Sequence, residues 1–297
     1  MLSTNRDKLV MISVMGSVDA PRFPAVPWTP HFISCDGRPS LLPAIGGIVY
    51  NVRVGDPALG WAAESIEPGV GIRSADAGAN RALKVYSCIG NDAVVMSGRA
   101  KGAQGTVSGK SGRFADHVII DFAPDSLEML APGDKVLVKA LGRGLALHGL
   151  PGVLVKNISP RLLEKMGVAS SGGRLQVPVV ATLPAEMMGA GSGLDSDGGC
   201  LQIQTGAPGM LEEYELGGLR IGDVVAIRDY ECSHAPGFLR GAVSIGIVCH
   251  GDSVRAGFGP GMTIVMTASG GEIEPETDAD ANIARMLGLG AFGPSSG

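Results

Sequence analysis

Aromatic side chains are scarce in this 297-residue sequence, at 4% of the residues, and charged residues amount to only 18%. The net charge is −5, and neither sign forms a long run. Because a surface that binds nucleic acid is normally basic, nucleic acid is disfavoured as the main partner. The hydrophobic fraction of 45% instead indicates a globular chain with a core of its own.

The five cysteines form no C-x-x-C pair, and their number is odd. This argues against a disulfide framework and against a structural zinc knuckle, so we expect free thiols in a reducing cytoplasm. No run approaches the roughly 20 apolar residues of a membrane span. The N-terminal run LVMISVM has no basic n-region before it and no clear cleavage site after it, and it predicts a strand. We therefore expect a cytoplasmic protein with no membrane partner.

Common enzyme motifs are also missing from the sequence. A G-x-S-x-G elbow, an H-E-x-x-H helix, a Walker motif and the kinase set are all absent, which excludes the common hydrolase, metalloprotease and nucleotide-binding classes. The glycine-rich stretch 188–200 lacks the Walker lysine, and its Asp195 and Asp197 fit either a cation site or a plain loop, the loop being favoured. The cofactor therefore stays unknown, with a divalent metal as one candidate.

Glycine is abundant, with 46 residues, and many Val and Ile residues accompany it. This combination predicts short strands joined by tight turns, in a mainly β (α+β) fold. We expect a β-rich, barrel-like N-terminal domain over residues 1–168 that contains a Pro-rich arm over 18–44. A flexible joint separates it from a β-rich C-terminal domain with short helices over 174–275, and a helix and tail follow over 276–297.

Residues 84–122 predict a run of β-hairpins, with GND and GKSG as turns. The pattern K-G-x-x-G-x-V-x-G-K within it resembles small SH3-like barrels of some ribosomal proteins. The basic residues there are few, and RNA binding is only the weakest alternative; they are Arg99, Lys101, Lys110 and Arg113. The clearest helix is SPRLLEKMGV, residues 159–168, with Ser159 as its cap and Gly167 as its end.

Four stretches together resemble one family. They are DGRPSLLPAIGGIVYNVRVGDPALGWAAESIEPGV, NRALKVYSCIGNDAVVMSG with the following AKGAQGTVSGK, LRIGDVVAI, and GAVSIGIVCHGDSVRAGFGPGMT. The sequence is similar over residues 36–275 to domain-of-unknown-function family 4438. The resemblance implies no activity, because the family is defined without one. Its pattern often has a His where this chain has Phe258, so a role that needs two imidazoles at that corner is not implied here.

The stretch VCHGDSVRAGFGPGMT, residues 248–263, is the strongest site candidate. His250 ends an apolar strand, and Asp252 and Ser253 follow a glycine, so these three are the predicted catalytic residues. A His beside a carboxylate can act as a general base held in one tautomer, or the pair can share a metal ion. Equally, the Asp can form an ordinary turn while the backbone satisfies the His.

Glycines complete this corner and are predicted to contact a ligand; they are Gly257, Gly259 and Gly261. Glycine lets backbone N–H groups approach an anion or oxyanion, and Gly259 and Gly261 are the predicted oxyanion donors.

Three further polar residues are candidate ligand contacts: Asp229 and His234 just past a strand, and Asp36 on the Pro-rich arm. If GDVVAIRD and GAVSIGIVCH form a hairpin, His234 lies at one end and His250 at the far end of a strand, roughly nine residues of about 3.3 Å each away. We therefore expect these two imidazoles not to meet within one protomer. A solvated loop remains the simpler interpretation of His234, and an ordinary turn that of Asp36.

These candidates favour a small-molecule enzyme that hydrolyses an amide, lactam or similar C–N bond. His250 would be the base, and Asp252 would orient it or bind a metal. The alternative is a non-catalytic protein that binds a small molecule or acts as a scaffold.

The termini of the sequence predict self-association. The arm carries Phe23, Val26, Trp28 and Phe32 without a periodic core, and residues 276–290 predict a helix with Ile283, Met286 and Leu287 on one face. Thr277 and Asp280 have the spacing of its capping box, and Gly288 ends it. We expect a homo-oligomer in which the arm, the helix or both cross to a neighbour.

Overall fold

The computed structural model describes residues 2–22, 30–112, 115–206 and 209–293. Phe23, Val26 and Trp28 of the predicted arm, and Arg113 of the basic set, lie outside the described residues. Short strands dominate, and the longest helix of the described part has ten residues, which confirms the predicted mainly β fold. Within these ranges no helix combines the length and hydropathy needed to cross a membrane.

The strands of the first part of the chain are β1 (Ile12–Val18), β2 (Phe32–Ile33), β3 (Pro39–Ser40), β4 (Ile48–Val49), β5 (Gly69–Arg73), β6 (Asp92–Val95), β7 (Gln104–Lys110), β8 (Val118–Phe122), β9 (Lys135–Ala140) and β10 (Val153–Val155). Those of the second part are β11 (Ala169–Ser171), β12 (Arg174–Val179), β13 (Ala181–Leu183), β14 (Leu201–Gln202), β15 (Val224–Glu231), β16 (Gly237–His250), β17 (Gly261–Ala268) and β18 (Ile273–Thr277).

The helices are α1 (Ala77–Tyr86), α2 (Pro124–Leu127), α3 (Pro160–Lys165), α4 (Met210–Glu213) and α5 (Ile283–Leu287). Single 3-10 turns occupy Arg6–Lys8, Ala185–Met187, Leu216–Gly218 and Gly290–Phe292.

The N-terminal part is a closed β-barrel, as the sequence predicted. Its strands follow the order β1-β9-β6-β7-β8-β5, and β5 pairs back onto β1 through Ser17↔Arg73 and Val18↔Ile72. Closure leaves no free edge in this ring, and β4 pairs on the outside of β5. Val118, Ile120 and Phe122 alternate along β8 into the barrel core, and Ile119 on the opposite face is buried as well.

The predicted run of hairpins over residues 84–122 is correct for β6, β7 and β8 but wrong at its start. Lys84–Tyr86 is the last turn of α1 and not a strand. The helix begins after Asp76, whose side chain accepts the Ala79 N–H at 2.7 Å as an N-cap. Leu83 then packs into the barrel core, so tertiary burial of an amphipathic helix face overrides the local β-propensity.

The C-terminal part is built on a sheet with strand order β10-β17-β16-β15-β13, with β14 added to β17. Val224 and Ala226 of β15 face one hydrophobic cluster, and Val225 and Ile227 face another. Burial of both faces explains why these strands are almost continuously apolar in the sequence. The first strand of this sheet, β10, comes from residues before the predicted boundary at 168.

The predicted helix over 276–290 is shorter than expected. Thr277 ends β18, which pairs in parallel with β12, so the predicted capping box does not form. Asn282 caps α5 instead, and its side chain accepts the Ala284 N–H at 2.7 Å. Gly288 does end the helix, in the left-handed conformation with φ 67°. The helix over 159–168 is confirmed as α3, with the Ser159 side chain accepting the Leu162 N–H.

The described part of the Pro-rich arm packs against its own chain. Phe32 is buried, and the Cys35 N–H donates to the Val254 carbonyl at 2.7 Å. The Asp19 N–H donates to the Gly71 carbonyl at 3.0 Å. Crossing of the arm or of α5 to a neighbouring subunit therefore stays a prediction.

The barrel contacts the C-terminal sheet through the end of β7. The Lys110 N–H donates to Thr263 Oγ1 of β17 at 3.0 Å. Gly109 lies against Cys249 of β16 so closely that a Cβ on this glycine would overlap with the cysteine Cβ. Only a residue without a side chain allows this approach of the two parts.

We therefore expect Gly109→Ala to destabilise the protein by about 1–3 kcal/mol, because the added methyl group over-packs the contact between barrel and sheet. Gly217→Ala is the matched control, since a Cβ there meets open space, and we expect its effect to stay within about 0.5 kcal/mol. Chemical denaturation of both variants measures the difference. Equal free energies of unfolding for Gly109→Ala and Gly217→Ala would show that the contact of β7 with the sheet accommodates the methyl group without destabilisation.

Candidate active site

A small cavity lies between the barrel and the C-terminal sheet. The space open to the centre of a water molecule there is about 30 Å³. Its wall includes Glu67 from the barrel side, Gly112 after β7, and Gln202 and His250 from the C-terminal sheet. The cavity therefore collects side chains from both parts of the chain.

His250 ends β16 and is 2% exposed. It pairs with Gly261 of β17, where any Cβ would collide with the imidazole ring. The ring Nδ1 is 2.9 Å from the Gly251 carbonyl, which can only accept, so Nδ1 carries a proton. The other nitrogen, Nε2, is 3.5 Å from the sulfur of Cys200.

Cys200 and His250 form a thiol–imidazole pair. Hydrogen bonds from the Cys249 thiol and from His250 lower the pKa of Cys200 well below its usual 9.0, although burial opposes the shift. Burial alone would lower the pKa of His250, but the hydrogen bond and charge of Cys200 raise it above 6.5. The opposite shifts favour a thiolate beside an imidazolium, which is the reactive form of a cysteine.

The position of the sulfur decides what can reach it. Cys200 is half-buried and lies beside two residues of the cavity wall, His250 and Gly112. A Cβ on Gly112 would sit 3.5 Å from the sulfur, so the missing side chain leaves the approach from that direction open. The proton of Cys249 has other acceptors too, the carbonyls of Lys110 and Gly261 at 3.2 Å each. We therefore regard His250 as the more constant partner of the thiolate.

The loop that carries Cys200 is held by three basic side chains. Asp197 pairs with Arg143 at 2.7 Å and with Lys156 at 3.1 Å, while Lys110 donates to the Asp197 carbonyl at 2.9 Å and to Asn157 Oδ1 at 2.6 Å. Asp197, one of the two aspartates behind the predicted cation-or-loop alternative at 188–200, is thus salt-bridged, and the alternative itself stays a prediction. Because these anchors lie three residues before Cys200, they fix the position of the thiol.

A second set of titratable groups comes from the barrel side. His117 is fully buried between Glu67 Oε2, 2.7 Å from Nδ1, and Asp19 Oδ2, 3.0 Å from Nε2. Burial alone would lower the pKa of His117, but the charge of Glu67 and the two carboxylate hydrogen bonds raise it from 6.5 to about 9. Glu67 in turn keeps a lowered pKa despite its burial, because His117 is positively charged. At neutral pH this set is an imidazolium between two carboxylates.

Only one oxygen of Glu67 is used by this arrangement. Glu67 is 3% exposed, and its Oε1 has no hydrogen-bond partner among the described residues. The nearby Ser111 hydroxyl helps to lower the pKa of Glu67, yet it does not complete a hydrogen bond to this oxygen. A Cβ on Gly71 would come within 2.5 Å of both Glu67 Oε2 and His117 Nδ1, so glycine is required there.

Gln202 supplies a donor to the cavity. Its Oε1 accepts the Gly259 N–H at 3.1 Å, which fixes the side-chain amide and leaves its NH₂ group as the remaining polar end. The Gly259 N–H was predicted as an oxyanion donor, but this bond already uses it. Gly261 likewise serves to make room for the His250 ring, as described above.

Asp252 does not orient His250, contrary to the sequence-based hypothesis. Its Oδ1 accepts from the Thr205 hydroxyl and from the Ser253 N–H, while the Gly251 carbonyl takes the His250 proton. The Ser253 hydroxyl donates to buried Glu64 at 2.7 Å. Asp252 and Ser253 therefore stabilise the conformation of this corner, and neither forms a hydrogen bond to the His250 imidazole.

The remaining predicted residues lie apart from the cavity. Asp229 accepts the Gly241 N–H at a bulge in β15, and His234 is exposed in the β15–β16 turn, at the far end of β16 from His250. Asp36 pairs with Arg38 at 3.1 Å in an exposed turn. The Gly257 carbonyl accepts the Ala190 N–H at 2.8 Å and so ties the corner to the loop that leads to Cys200.

A divalent metal was a sequence-based candidate. Within the described ranges no group of three or more His, Cys, Asp or Glu side chains is placed to hold a metal ion. The pairing of Asp195 with Arg81, and of Asp197 with Arg143, accounts for the two aspartates that suggested a cation.

Sequence reasoning did not identify the groups that meet at the cavity other than His250. Cys200 follows two glycines without a motif, and His117 belongs to no recognisable motif either. The available signal was composition alone: a cysteine that ends a glycine-rich loop and a histidine that precedes an apolar strand.

Comparison with known proteins supports the fold. The family model described as Domain of unknown function (DUF4438), N-terminal, matches residues 31–164, and the C-terminal model of the same family matches residues 165–287. The crystal structure of TM1086 is similar, with a TM-score of 0.91 and 42% identity over 96% of this chain and 99% of that chain. No curated protein matches the chain. The matches confirm the resemblance that the four sequence stretches indicated.

The thiol–imidazole pair predicts an unusual titration. We expect the difference in ultraviolet thiolate absorbance between the wild type and Cys200→Ser to persist at neutral pH, where a thiol with a pKa of 9.0 is protonated. His250→Gln should move this titration towards higher pH. Cys88→Ser is the control: burial raises the pKa of Cys88, so its loss should leave the neutral-pH signal intact. An ordinary titration of Cys200 would contradict the ion pair.

The buried imidazolium predicts a pH-dependent stability. Because folding raises the pKa of His117 from 6.5 to about 9, its contribution is fully present below pH 6.5 and is lost as the pH rises through 9. At 1.36 kcal/mol per pKa unit, the contribution is on the order of 3 kcal/mol.

Denaturation at about pH 6 and about pH 9.5 should show this loss in the wild type and a much smaller one in His117→Gln. His234→Gln, an exposed histidine, is the matched control. A pH dependence that His117→Gln leaves unchanged would refute the assignment.

Proposed function

Because the chain belongs to the DUF4438 family, which is defined without an activity, we propose a function from the site: hydrolysis of a small amide or lactam C–N bond by the Cys200 thiolate. One observation carries the proposal. The Cys200 sulfur lies 3.5 Å from His250 Nε2, beside a cavity whose wall includes that imidazole. A nucleophile within reach of a positioned base is the arrangement that covalent catalysis requires.

The reaction uses both members of the pair. The thiolate attacks the acyl carbon and forms a C–S bond, and the C–N bond then breaks as His250 Nε2 gives its proton to the leaving nitrogen. Water next adds to the thioester carbon and transfers a proton to the neutral imidazole. Cleavage of the C–S bond releases the acid and restores the thiolate. The Nδ1 hydrogen bond to the Gly251 carbonyl keeps Nε2 directed at sulfur throughout.

Charge on the carbonyl oxygen needs a donor during this reaction. The NH₂ group of Gln202 is suited to this role, because the Gly259 N–H holds the other end of the side-chain amide. The proposed oxyanion donor is therefore the Gln202 side chain, which Gly259 orients, and not the backbone N–H groups of Gly259 and Gly261.

The size of the cavity limits the substrate. A space of about 30 Å³ for water centres accommodates about two water molecules. It receives the reacting end of a substrate and not a whole large molecule, which supports a small amide or lactam.

The alternatives are separable from hydrolysis. A non-catalytic binding protein or scaffold would use the same cavity without turnover. RNA binding through the β7 region has less support, because Lys110, one of the four basic residues there, is fully buried. We propose that the protein acts as a homo-oligomer in the cytoplasm on a small-molecule partner.

A panel of small primary amides, N-alkyl amides and lactams tests the proposal. We expect Cys200→Ala to lower turnover of any hydrolysed member by at least about a thousandfold, since the nucleophile is lost. Intact-mass measurement should detect the acyl group on Cys200 in the wild type and in His250→Gln, where deacylation is slowed.

Cys35→Ala is the control, because the Cys35 thiol is exposed and is not part of the Cys200–His250 pair. Turnover that survives Cys200→Ala would refute the nucleophile. Binding of panel members without any turnover would refute the hydrolase and favour the binding protein.

A further inference from the structure

The cavity contains a buried acceptor that the reaction above does not use. Glu67 lies in the wall with a side chain that is 3% exposed, and its buried Oε1 has no hydrogen-bond partner among the described residues. A buried polar atom without a partner is destabilising, and such atoms are rare in folded proteins. A ligand that donates a hydrogen bond to this oxygen would remove the cost.

The charges around the cavity define what this ligand group is. The His117 imidazolium is shared between Glu67 and Asp19, and Asp19 also pairs with Arg22 at 3.3 Å and with Arg73 at 3.8 Å. The thiolate and imidazolium of Cys200 and His250 cancel each other. Among the described contacts, Arg255 pairs with Glu64 at 3.2 Å and lies over the rings of Phe32 and Phe258. Among the described residues Glu67 has His117 as its one ion-pair partner, on Oε2, and its Oε1 is left as a carboxylate acceptor without a donor. A charged N–H group makes the stronger hydrogen bond to such an oxygen.

We propose that the cavity binds the cationic N–H end of its ligand, an ammonium or amidinium group that donates a hydrogen bond to Glu67 Oε1. This inference rests on the proposed function only in making that ligand a substrate; the binding itself is independent of Cys200. The space of about 30 Å³ fits a group of this size. Glu67 is ionised when the ligand arrives, because His117 holds the other oxygen at 2.7 Å.

The substrate class follows from the two sets of groups together. Glu67 receives the positively charged nitrogen, and Cys200 reacts at a carbonyl carbon beyond the imidazole of His250. A small molecule that carries a protonated amine or amidine close to an amide or lactam bond satisfies both. A carboxylate or phosphate in the same place would face an ionised carboxylate and is disfavoured.

Binding of acetamidinium and methylammonium to the full chain and to Cys200→Ala tests the proposal, with ligand-observed NMR as the measurement. We expect both cations to bind both proteins at millimolar concentration. Tetramethylammonium, which has the same charge and no N–H, should bind at least tenfold more weakly, and acetate should not bind. Glu67→Gln should weaken acetamidinium by at least tenfold, whereas the exposed control Glu128→Gln should leave it unchanged.

Substitution of a buried carboxylate can disturb folding, so a measurement on the unsubstituted protein accompanies the variants. Nuclear Overhauser contacts from the methyl group of acetamidinium to Gln202 or His250 would place the probe in the cavity. Binding without these contacts, equal binding of tetramethylammonium, preference for acetate, or no binding of either cation would each overturn the proposal. If the wild type hydrolyses no panel amide, the proposed reaction is refuted. If Cys200→Ala still binds the cations in that case, this inference stands.

Discussion

The close approach of β7 to β16 and β17 is the constraint on which the site depends. Gly109 allows the end of β7 to lie against Cys249, and the Lys110 N–H fixes it to Thr263. Ser111 and Gly112 continue directly from this strand into the cavity wall. The thiol and imidazole of the sheet therefore face the carboxylate of the barrel because two glycine-permitted contacts, at Gly109 and Gly261, remove the side chains that would keep them apart.

Buried charge is tolerated here because nearly every ion has a partner. Asp197 is held by Arg143 and Lys156, while burial and the charge of Arg143 lower the pKa of Lys110. Such pairs do not add much stability, since desolvation offsets their attraction, but removal of one partner leaves a costly lone charge. They instead fix the loop to a single position. Against this background, Glu67 Oε1 is the carboxylate oxygen among the buried, unpartnered side-chain atoms of the described residues, beside the hydroxyl of Ser87, and the proposed ligand would give it a donor.

Local sequence patterns were sufficient for elements that pack on their neighbours along the chain. The β15–β16 hairpin and the separation of His234 from His250 followed from alternation and turn chemistry, and Ser159 and Gly167 bounded α3. The pattern was insufficient where tertiary contacts decide. Residues 84–86 have β-forming composition but complete a helix that buries Leu83, and Thr277 joins a parallel strand pair instead of capping a helix.

The candidate site shows the same limit more sharply. His250 was predictable because a histidine at the end of an apolar strand is a local signal, and the glycine-rich corner beside it is another. Its partner Cys200 is fifty residues away in sequence and arrives there through the pairing of β14 with β17. Glu67 and His117 are likewise fifty residues apart and meet through the pairing of β5 with β8.

The division of the family models at residues 164 and 165 separates the two halves of this chemistry. Glu67, His117 and the backbone of Ser111 and Gly112 belong to the first model, and Cys200, Gln202 and His250 belong to the second. The first half alone would expose Lys110 and Glu67 Oε1 to water, and the lowered pKa of Lys110 would be lost because burial is its main cause. The second half alone would open the thiol to solvent and lose the wall that excludes water from it. The candidate site therefore lies at the contact between the two halves. The covalent joining of both halves in one chain keeps them together at that contact.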